Sequence, residues 1–277
     1  MRTTSHRGML PAHIAVWIYV AILLVPLYFV VISSVKDNIG IFSNGFALPT
    51  QWLWENFSKA WEQAALGPAM LNSLYITVGA EVLGLALAIP AAYGIARSTG
   101  RLGRLAERAF SLGFLIPTFA AMVPTVLLSI SLGLFHNQVF LILFFAGTAQ
   151  PLSVILLVQF MRAIPAELEE AALMDGASRL RLLWSVYIPL TAPGIATVGI
   201  LNFFAVWNEY LYSTIILGAD KAVRTIQVAL PSLQSETNPQ YGVLLAGTLI
   251  CCVPTLVLFI VLQKRMMTAL TQGAVKG

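Results

Sequence analysis

Six long apolar stretches, separated by short polar segments, dominate the chain. A helix needs about 20 mainly apolar residues to cross a bilayer, and each stretch is close to or above that length. The stretches lie near residues 14–33, 70–96, 110–134, 139–161, 194–217 and 243–263. The pattern predicts an all-α fold, a polytopic bundle of about six transmembrane helices in which residues 1–277 form a single membrane domain.

The composition supports a membrane protein and argues against a soluble enzyme. Hydrophobic residues make up 58% of the chain and charged residues 10%, with a mean hydropathy of +0.82, whereas soluble domains carry about 25% charged residues. The adjacent Cys251 and Cys252 lie inside an apolar stretch, which favours packing over a disulfide framework or a metal site. The net charge of +4 is mild and does not suggest a nucleic-acid partner.

Positive charges are distributed unevenly over the segments between the spans. Four of the sixteen Lys and Arg residues lie on one predicted side, namely Lys36, Lys59, Lys221 and Arg224. The other twelve lie on the opposite side, and an excess of this kind marks the cytoplasmic side of a membrane protein. Both termini are therefore predicted to be cytoplasmic, which requires an even number of spans.

Two longer segments lie on the predicted outer side. Residues 39–66 are rich in Trp, which prefers the depth of the membrane interface, so residues 54–65 are predicted to form a short interfacial helix. Residues 218–242 are polar. Each segment is either a contact for a partner outside the membrane or a plain connection between spans, and the sequence leaves both open.

The segment between spans four and five, residues 162–190, carries the clearest local signals. A proline opens a predicted short helix, and Glu167 and Glu170 favour its positive N-terminus. Gly176 is placed to end that helix in a left-handed conformation. Ser178 can then cap a second helix. The segment is therefore predicted to hold two consecutive helices on the cytoplasmic side.

The first of these helices has a flat face with an acidic rim. Ala171 and Ala172 lie at its centre and have almost no side-chain bulk, so another protein can approach closely. Glu167, Glu170 and Asp175 offer charge partners around them. An ordinary intracellular loop with one helical turn is the alternative, and the ordered series of helix, glycine and proline-terminated second helix argues against it.

The same residues carry a resemblance to a known family. The pattern E-A-A, three residues, Gly, nine residues and aliphatic-x-aliphatic-Pro resembles the signature loop of ABC-importer permeases. In this chain the pattern consists of Glu170-Ala171-Ala172, Gly176 and Val186-Tyr187-Ile188-Pro189. Over nearly the whole chain the resemblance is to the carbohydrate branch, the second permease subunit of maltose- and multiple-sugar-type systems. Its further motifs are Asn72-Ser73-Leu74, Met174-Asp175-Gly176-Ala177, Trp207-Asn208-Glu209-Tyr210 and Gly273-Ala274-Val275-Lys276-Gly277.

The resemblance implies a type I ABC-importer permease in a bacterial cell membrane, working with several partners. These are a homologous second permease, two cytoplasmic ATPase subunits that bind ATP and Mg²⁺, an external solute-binding protein and membrane lipid. The short helix would be the coupling helix that docks on an ATPase subunit through Glu167, Glu170, Ala171, Ala172, Asp175 and Gly176. The tail residues Gln272, Gly273 and Lys276 resemble a segment that reaches the ATPase subunits.

No residue of this chain is assigned a catalytic, cofactor-binding or metal-binding role. The sequence contains no G-x-x-x-x-G-K-[ST] phosphate loop, no H-E-x-x-H and no G-x-S-x-G. His6, His13 and His136 are too scattered in the predicted topology for a metal site. A partner chain is therefore expected to hydrolyse ATP, and this chain is expected to be a transport subunit and not an enzyme.

Polar side chains inside the predicted spans are the candidates for a substrate pathway. Glu81 lies in span two and Glu209 in span five, and ionisable groups at such depth usually face a bundle interior or a water-filled path. Gln150 and Asn208 add hydrogen-bonding capacity suited to the hydroxyl groups of a sugar. The alternative, that these four groups satisfy one another in helix packing, stays open.

Three other functions compete with sugar uptake. Glycerol phosphate importers share the same branch of permeases, so another small polar solute is possible. Buried carboxylates also serve proton relays in secondary transporters, although the halves of the chain show no inverted repeat and such a carrier has no need of the Glu170-Ala171-Ala172 loop. A purely structural membrane scaffold does not explain that loop either.

Overall fold

The computed structural model describes residues 10–234 and 239–274. Its helices are α1 (Leu10–Ser33), α2 (Asn38–Ser43), α3 (Glu55–Gln63), α4 (Leu66–Ala96), α5 (Arg101–Leu112), α6 (Met122–Ser131), α7 (Gln138–Thr148), α8 (Gln150–Arg162), α9 (Ala166–Met174), α10 (Arg179–Leu182), α11 (Ile188–Trp207), α12 (Leu211–Leu217), α13 (Ile226–Ala229) and α14 (Tyr241–Ala274). A π-helical segment, Leu183–Tyr187, joins α10 to α11. The described residues contain no strand, and the predicted all-α fold class is confirmed.

Side-chain caps fix the starts of several short helices. The carboxylate of Asp37 accepts a hydrogen bond from the Gly40 amide at 2.8 Å and opens α2. The Asn137 side chain accepts from the Val139 amide at 2.8 Å and opens α7. Such residues satisfy backbone donors that have no partner inside the helix. The helix predicted over residues 54–65 is present as α3, whereas its position relative to the membrane stays a prediction.

Four helical stretches are long and apolar enough to cross a membrane: His13–Ser33, Leu66–Ala96, Arg179–Trp207 and Tyr241–Val261. Two bent helix pairs, Arg101–Leu115 with Phe119–Ser131 and Gln138–Thr148 with Gln150–Arg162, bring the number to six when each pair counts as one span. This agrees with the number of spans predicted from the sequence. The bounds differ, because the structure interrupts three of the predicted stretches.

The third predicted span, residues 110–134, contains Pro117 and Pro124, prolines of the kind that break or bend a span, and it is sharply bent. Its two halves meet at 87°. Pro117 lies at the bend, and the preceding Ile116 is extended, with φ −78° and ψ 112°. A proline clashes with a helical conformation of the residue before it, so the α5 side of the helix ends here. The apolar pattern continues across the bend, so Pro117 is its local signal in the sequence.

The fourth and fifth predicted spans are interrupted as well. Pro151 lies in the first turn of α8, and α7 and α8 meet at 43°. The predicted stretch 194–217 is divided by a break at residues 208–210 between α11 and α12. The helix that contains its first part begins earlier, at Arg179, through α10 and the π-helical segment.

The contacts within the chain form two compact units, Met1–Gly67 with Ala229–Val253 and Pro68–Val228 with Pro254–Gly277. In the first unit, the Lys36 ammonium is buried and donates hydrogen bonds to the carbonyls of Asn44 at 3.0 Å and Gly45 at 2.9 Å. The side-chain amide of Asn56 donates to the carbonyls of Ser34 and Lys36. These bonds fold the polar segment after α1 back on itself.

The second unit contains two hydrophobic clusters. One cluster joins the second half of α4 to α8 and the start of α11, and it includes the fully buried Leu157, Met161 and Tyr187. The other joins the first half of α4 to α7 and α12 through residues such as Ile76 and Leu141. The first cluster lies directly beside the segment that carries α9.

Candidate docking helix and transmembrane cavity

Helix α9 has defined ends. Pro165, with ψ 139°, precedes its first residue, and Glu167 and Glu169 lie in its first turn. At its end Gly176 has φ +79°. The Gly176 amide donates to Leu173 O at 2.9 Å and the Ala177 amide to Ala172 O at 3.0 Å, which together form a Schellman motif. The predicted left-handed glycine is confirmed.

The second predicted helix follows without a gap. Ser178 has an extended backbone, and its hydroxyl accepts from the Arg181 amide at 3.3 Å. This confirms the predicted cap. The helix continues as α10, the π-helical segment and α11, so the segment after α9 leads directly into a membrane span.

No residue of α9 is buried. Glu167, Glu170, Ala171 and Asp175 are exposed, whereas Ala172 is half-buried against the rest of the chain. The two alanines therefore do not share one open face, as a flat surface would need. Ala171 points outward and Ala172 packs inward. All six predicted docking residues nonetheless lie on one short exposed segment.

Apolar side chains on α9 were missed by the sequence analysis. Met174 is 89% exposed, and Leu168 and Leu173 are each 47% exposed. Exposed apolar groups on a polar surface segment mark a contact for another molecule. The signal was present in the sequence as three large apolar residues on a nine-residue helix that carries only small or acidic residues otherwise.

Glu169, the half-buried carboxylate of α9, also lies outside the predicted set. Its Oε2 accepts a hydrogen bond from the Tyr187 hydroxyl at 2.6 Å and lies 3.1 Å from Arg97 Nε. Both partners are distant in sequence, so no local pattern could reveal the contact.

A cavity of about 610 Å³ lies among the spans of the second unit. Aromatic side chains and polar groups share its wall. Its lining residues are Phe119, Phe144, Phe145, Thr148, Ala149, Leu152, Asn202, Ala205, Val206, Asn208, Glu209, Tyr210, Leu211 and Tyr212. Two of the four residues predicted for a substrate pathway, Asn208 and Glu209, are therefore in the wall of one cavity.

The Glu209 carboxylate also organises the helix break. It accepts hydrogen bonds from the Tyr212 amide at 2.7 Å and from the Ser213 amide and hydroxyl at 2.9 Å each. These amides belong to the first turn of α12, where a negative charge is favourable. Glu209 thus holds the start of α12 at the cavity wall.

The other two predicted pathway residues lie elsewhere. The Gln150 amide donates to Gly84 O at 3.1 Å and to Ala146 O at 2.7 Å, which is a packing role between α4, α7 and α8. Glu81 lines a separate cavity of about 380 Å³. The structure therefore does not place the four residues around one cavity.

Asn202, a wall residue of the larger cavity, was missed by the sequence analysis. It lies close to the Glu81 carboxylate and donates from Nδ2 to Ser153 Oγ at 2.9 Å. Glu81 Oε1 has no hydrogen-bond partner in the described part of the chain. A buried amide within an apolar span usually has a specific partner, and Asn202 on α11 was the available signal.

The predicted tail residues cannot be placed in the same way. Gln272 and Gly273 lie in α14, whereas the side chain of Gln272 and the whole of Lys276 lie outside the described residues. Their proposed contact with ATPase subunits stays a prediction.

Comparison with known proteins decides the family. The model for the inner membrane component of binding-protein-dependent transport systems matches residues 84–273. The chain belongs to this family. It is a transport permease subunit and a multi-pass inner membrane protein, as the sequence predicted.

Three curated relatives of the permease are carbohydrate permeases by name. The diacetylchitobiose uptake system permease NgcG of Streptomyces coelicolor is 33% identical over 95% of this chain and 87% of its own length. The melibiose/raffinose/stachyose import permease MelC of Bacillus subtilis is 32% identical over 91% of each chain. The trehalose transport permease SugB of Mycobacterium tuberculosis is 33% identical over 88% of this chain and 87% of its own. The predicted resemblance to the carbohydrate branch is confirmed.

A solved structure shares the fold. A chain of a bacterial ABC transporter involved in the import of the acidic polysaccharide alginate superposes with a TM-score of 0.81, at 24% identity over 95% of this permease and 98% of that chain. This confirms the type I permease fold.

Proposed function

We propose that the permease is one membrane half of an ABC importer that takes up a disaccharide or oligosaccharide. A homologous second permease completes the pathway, two cytoplasmic ATPase subunits supply the energy, and an external solute-binding protein delivers the sugar. ATP and Mg²⁺ bind to the ATPase subunits, and this chain binds no cofactor. The observation that carries the proposal is the exposed, Schellman-terminated helix α9.

Helix α9 has the features of a docking element. Its end is fixed by backbone hydrogen bonds, its acidic residues Glu167 and Glu170 are solvent-accessible, and Met174 is almost fully exposed. A short preorganised helix with an apolar tip and an acidic rim binds a groove without the entropic cost of ordering a loop. An ATPase subunit with an apolar groove and a basic rim is the matching partner.

The larger cavity suits a neutral sugar. Phe144, Phe145 and Tyr210 supply aromatic surface, and Asn202 and Asn208 supply amide donors and acceptors. Such cavities are mostly apolar, with a few polar groups that fix orientation. Among the residues that the structure describes, those lining this cavity include no Lys, Arg or His, so a phosphate group would meet no cation from them. This favours a carbohydrate over glycerol phosphate.

The mechanism follows from the connection between α9 and the spans. When the ATPase subunits close on ATP, α9 moves with its docking groove. The continuous run from α10 to α11 passes that movement to the helix that carries Asn202. The cavity is then open to one side of the membrane in one state and to the other side in a second state. The ATPase subunits shift the permease between these states because they bind the two with different affinity.

Transport in proteoliposomes tests the proposal. The complex is purified through a tag on this chain, together with the subunits encoded beside it, and is supplied with its binding protein. We expect labelled trehalose, melibiose or diacetylchitobiose, whichever the binding protein binds, to accumulate only when ATP is present on the ATPase side. Uptake driven by a proton gradient without nucleotide would support a secondary carrier. Uptake of glycerol phosphate in place of all sugars would refute the carbohydrate assignment.

A further inference from the structure

Four structural elements of the second unit meet at Arg97. This residue directly follows α4, and its Nη2 donates to Ile164 O at 2.8 Å and to Met161 O at 3.3 Å, at the end of α8. Its Nε lies 3.1 Å from Glu169 Oε2 on α9. Its Cζ lies 4.9 Å from the centre of the Tyr187 ring, in the π-helical segment.

These contacts combine charge and hydrogen bonding. A planar guanidinium can donate to carbonyls at the end of a helix and face a carboxylate at the same time, and Arg97 Nε meets Glu169 as an ion pair without a hydrogen bond of its own in the described part of the chain. The Tyr187 side chain is fully buried, and a buried tyrosine hydroxyl needs a hydrogen-bond partner. Glu169 Oε2 accepts that bond at 2.6 Å. The three side chains therefore form one closed network.

Glu169 is the main side-chain contact of α9 with the rest of the chain. Within α9 only Glu169 and Ala172 are half-buried, and every other residue is exposed. Ala172 offers a single methyl group, whereas Glu169 makes an ion pair and a short hydrogen bond. Among the side-chain hydrogen bonds and ion pairs of the described residues, those of α9 to the rest of the chain are made by Glu169.

We propose that Glu169, Arg97 and Tyr187 are positioning residues that tether the docking helix α9 to the cytoplasmic end of α4. The covalent chain connects α9 to α8 and α10, and the tether adds α4, which is distant in sequence. A displacement of α9 is then shared by α4, whose Glu81 lines a cavity among the spans of the same unit. This rests on the proposed function only in assuming that an ATPase supplies the displacement.

A distance measurement within this chain tests the tether. Spin labels are attached at Ala166 on α9 and Leu87 on α4, two exposed positions, after both native cysteines have been replaced by Ala. In the parent complex we expect the distribution of distances between the two spin labels to show one narrow peak. This should hold both with and without ATP and vanadate. Glu169→Gln keeps the size of the side chain and removes its charge, and we expect that change to abolish the narrow peak.

A second variant and a matched control exclude misfolding. Tyr187→Phe keeps the ring and removes only the hydroxyl bond to Glu169, so it should also broaden the peak. Glu107→Gln breaks a different ion pair, in which Arg162 Nη2 lies 2.6 Å from Glu107 Oε2. That pair joins α5 to α8 and does not include α9, so the peak should stay narrow. A narrow peak in both Glu169→Gln and Tyr187→Phe would overturn the tether.

ATPase assays separate the tether from the docking function. In Glu169→Gln the ATPase subunits should still co-purify and hydrolyse ATP, while sugar uptake per ATP hydrolysed falls. Glu170→Lys reverses an exposed charge of the docking surface and should instead lose the ATPase subunits. If no ATPase co-purified even with the parent chain, the proposed function would fail. The distances between the two spin labels in the nucleotide-free permease would still show whether the tether exists.

Discussion

Gly176 gives the sharpest test of the docking helix. Its φ of +79° is unfavourable for any residue with a Cβ, and no atom lies within 4 Å of the position that a Cβ would occupy. A substitution to Ala therefore adds backbone strain without a steric clash. A left-handed conformation costs a residue other than Gly about 1–2 kcal/mol.

That free energy is large for α9, because the helix has no buried residue to stabilise it. A change of one or two kcal/mol shifts an equilibrium by a factor of roughly 5–30. If the ATPase subunit binds only the intact helix end, Gly176→Ala should weaken ATPase binding by up to that factor. Gly176→Pro should abolish it, because Pro fixes φ at about −65° and removes the amide that bonds to Leu173 O.

Binding of the purified ATPase subunit to the permease in nanodiscs measures the effect. Gly133 is a matched control, since it has φ +68° and likewise no atom within 4 Å of a Cβ. Gly133→Ala should carry a similar backbone cost and leave ATPase binding unchanged. Gly176→Asn should retain more binding than Gly176→Ala, because Asn tolerates the left-handed region. Unchanged binding in Gly176→Pro, or equal losses in Gly133→Ala and Gly176→Ala, would refute the assignment of α9.

Three further predictions concern single side chains. Met174→Asp should weaken ATPase binding without changing the permease's thermal stability, because the side chain is exposed; a loss of stability would argue for an internal packing role. Glu209→Gln leaves one acceptor oxygen for three donors, so uptake in a transport assay should fall more than expression on an immunoblot. Equal losses of uptake and expression would support a packing role alone. Asn202→Leu removes a polar group of the cavity wall and the partner of Ser153, and should lower uptake while ATP hydrolysis continues. Coupled uptake that matched the parent would exclude Asn202 from the pathway.

The candidate sites were predicted to very different extents. The docking helix follows from local signals, since a proline, acidic first-turn residues, Gly176 and Ser178 act on neighbouring backbone atoms. Glu169 could not be assigned, because its partners Arg97 and Tyr187 are brought to it only by packing. In the same way, Glu81 and Glu209 were both predicted as pathway residues inside spans, yet they line different cavities.

The sequence by itself determined the number of spans, the all-α class and the boundaries of α9. These depend on apolar length and on capping, which are properties of adjacent residues. The tertiary structure alone decided that the third span bends by 87°, that Glu209 caps α12 and that Asn202 lies in the wall of the larger cavity. It also decided that one carboxylate of α9 reaches Arg97 at the end of α4. Contacts of this kind depend on which helix faces meet, and an apolar stretch carries the same pattern on every face.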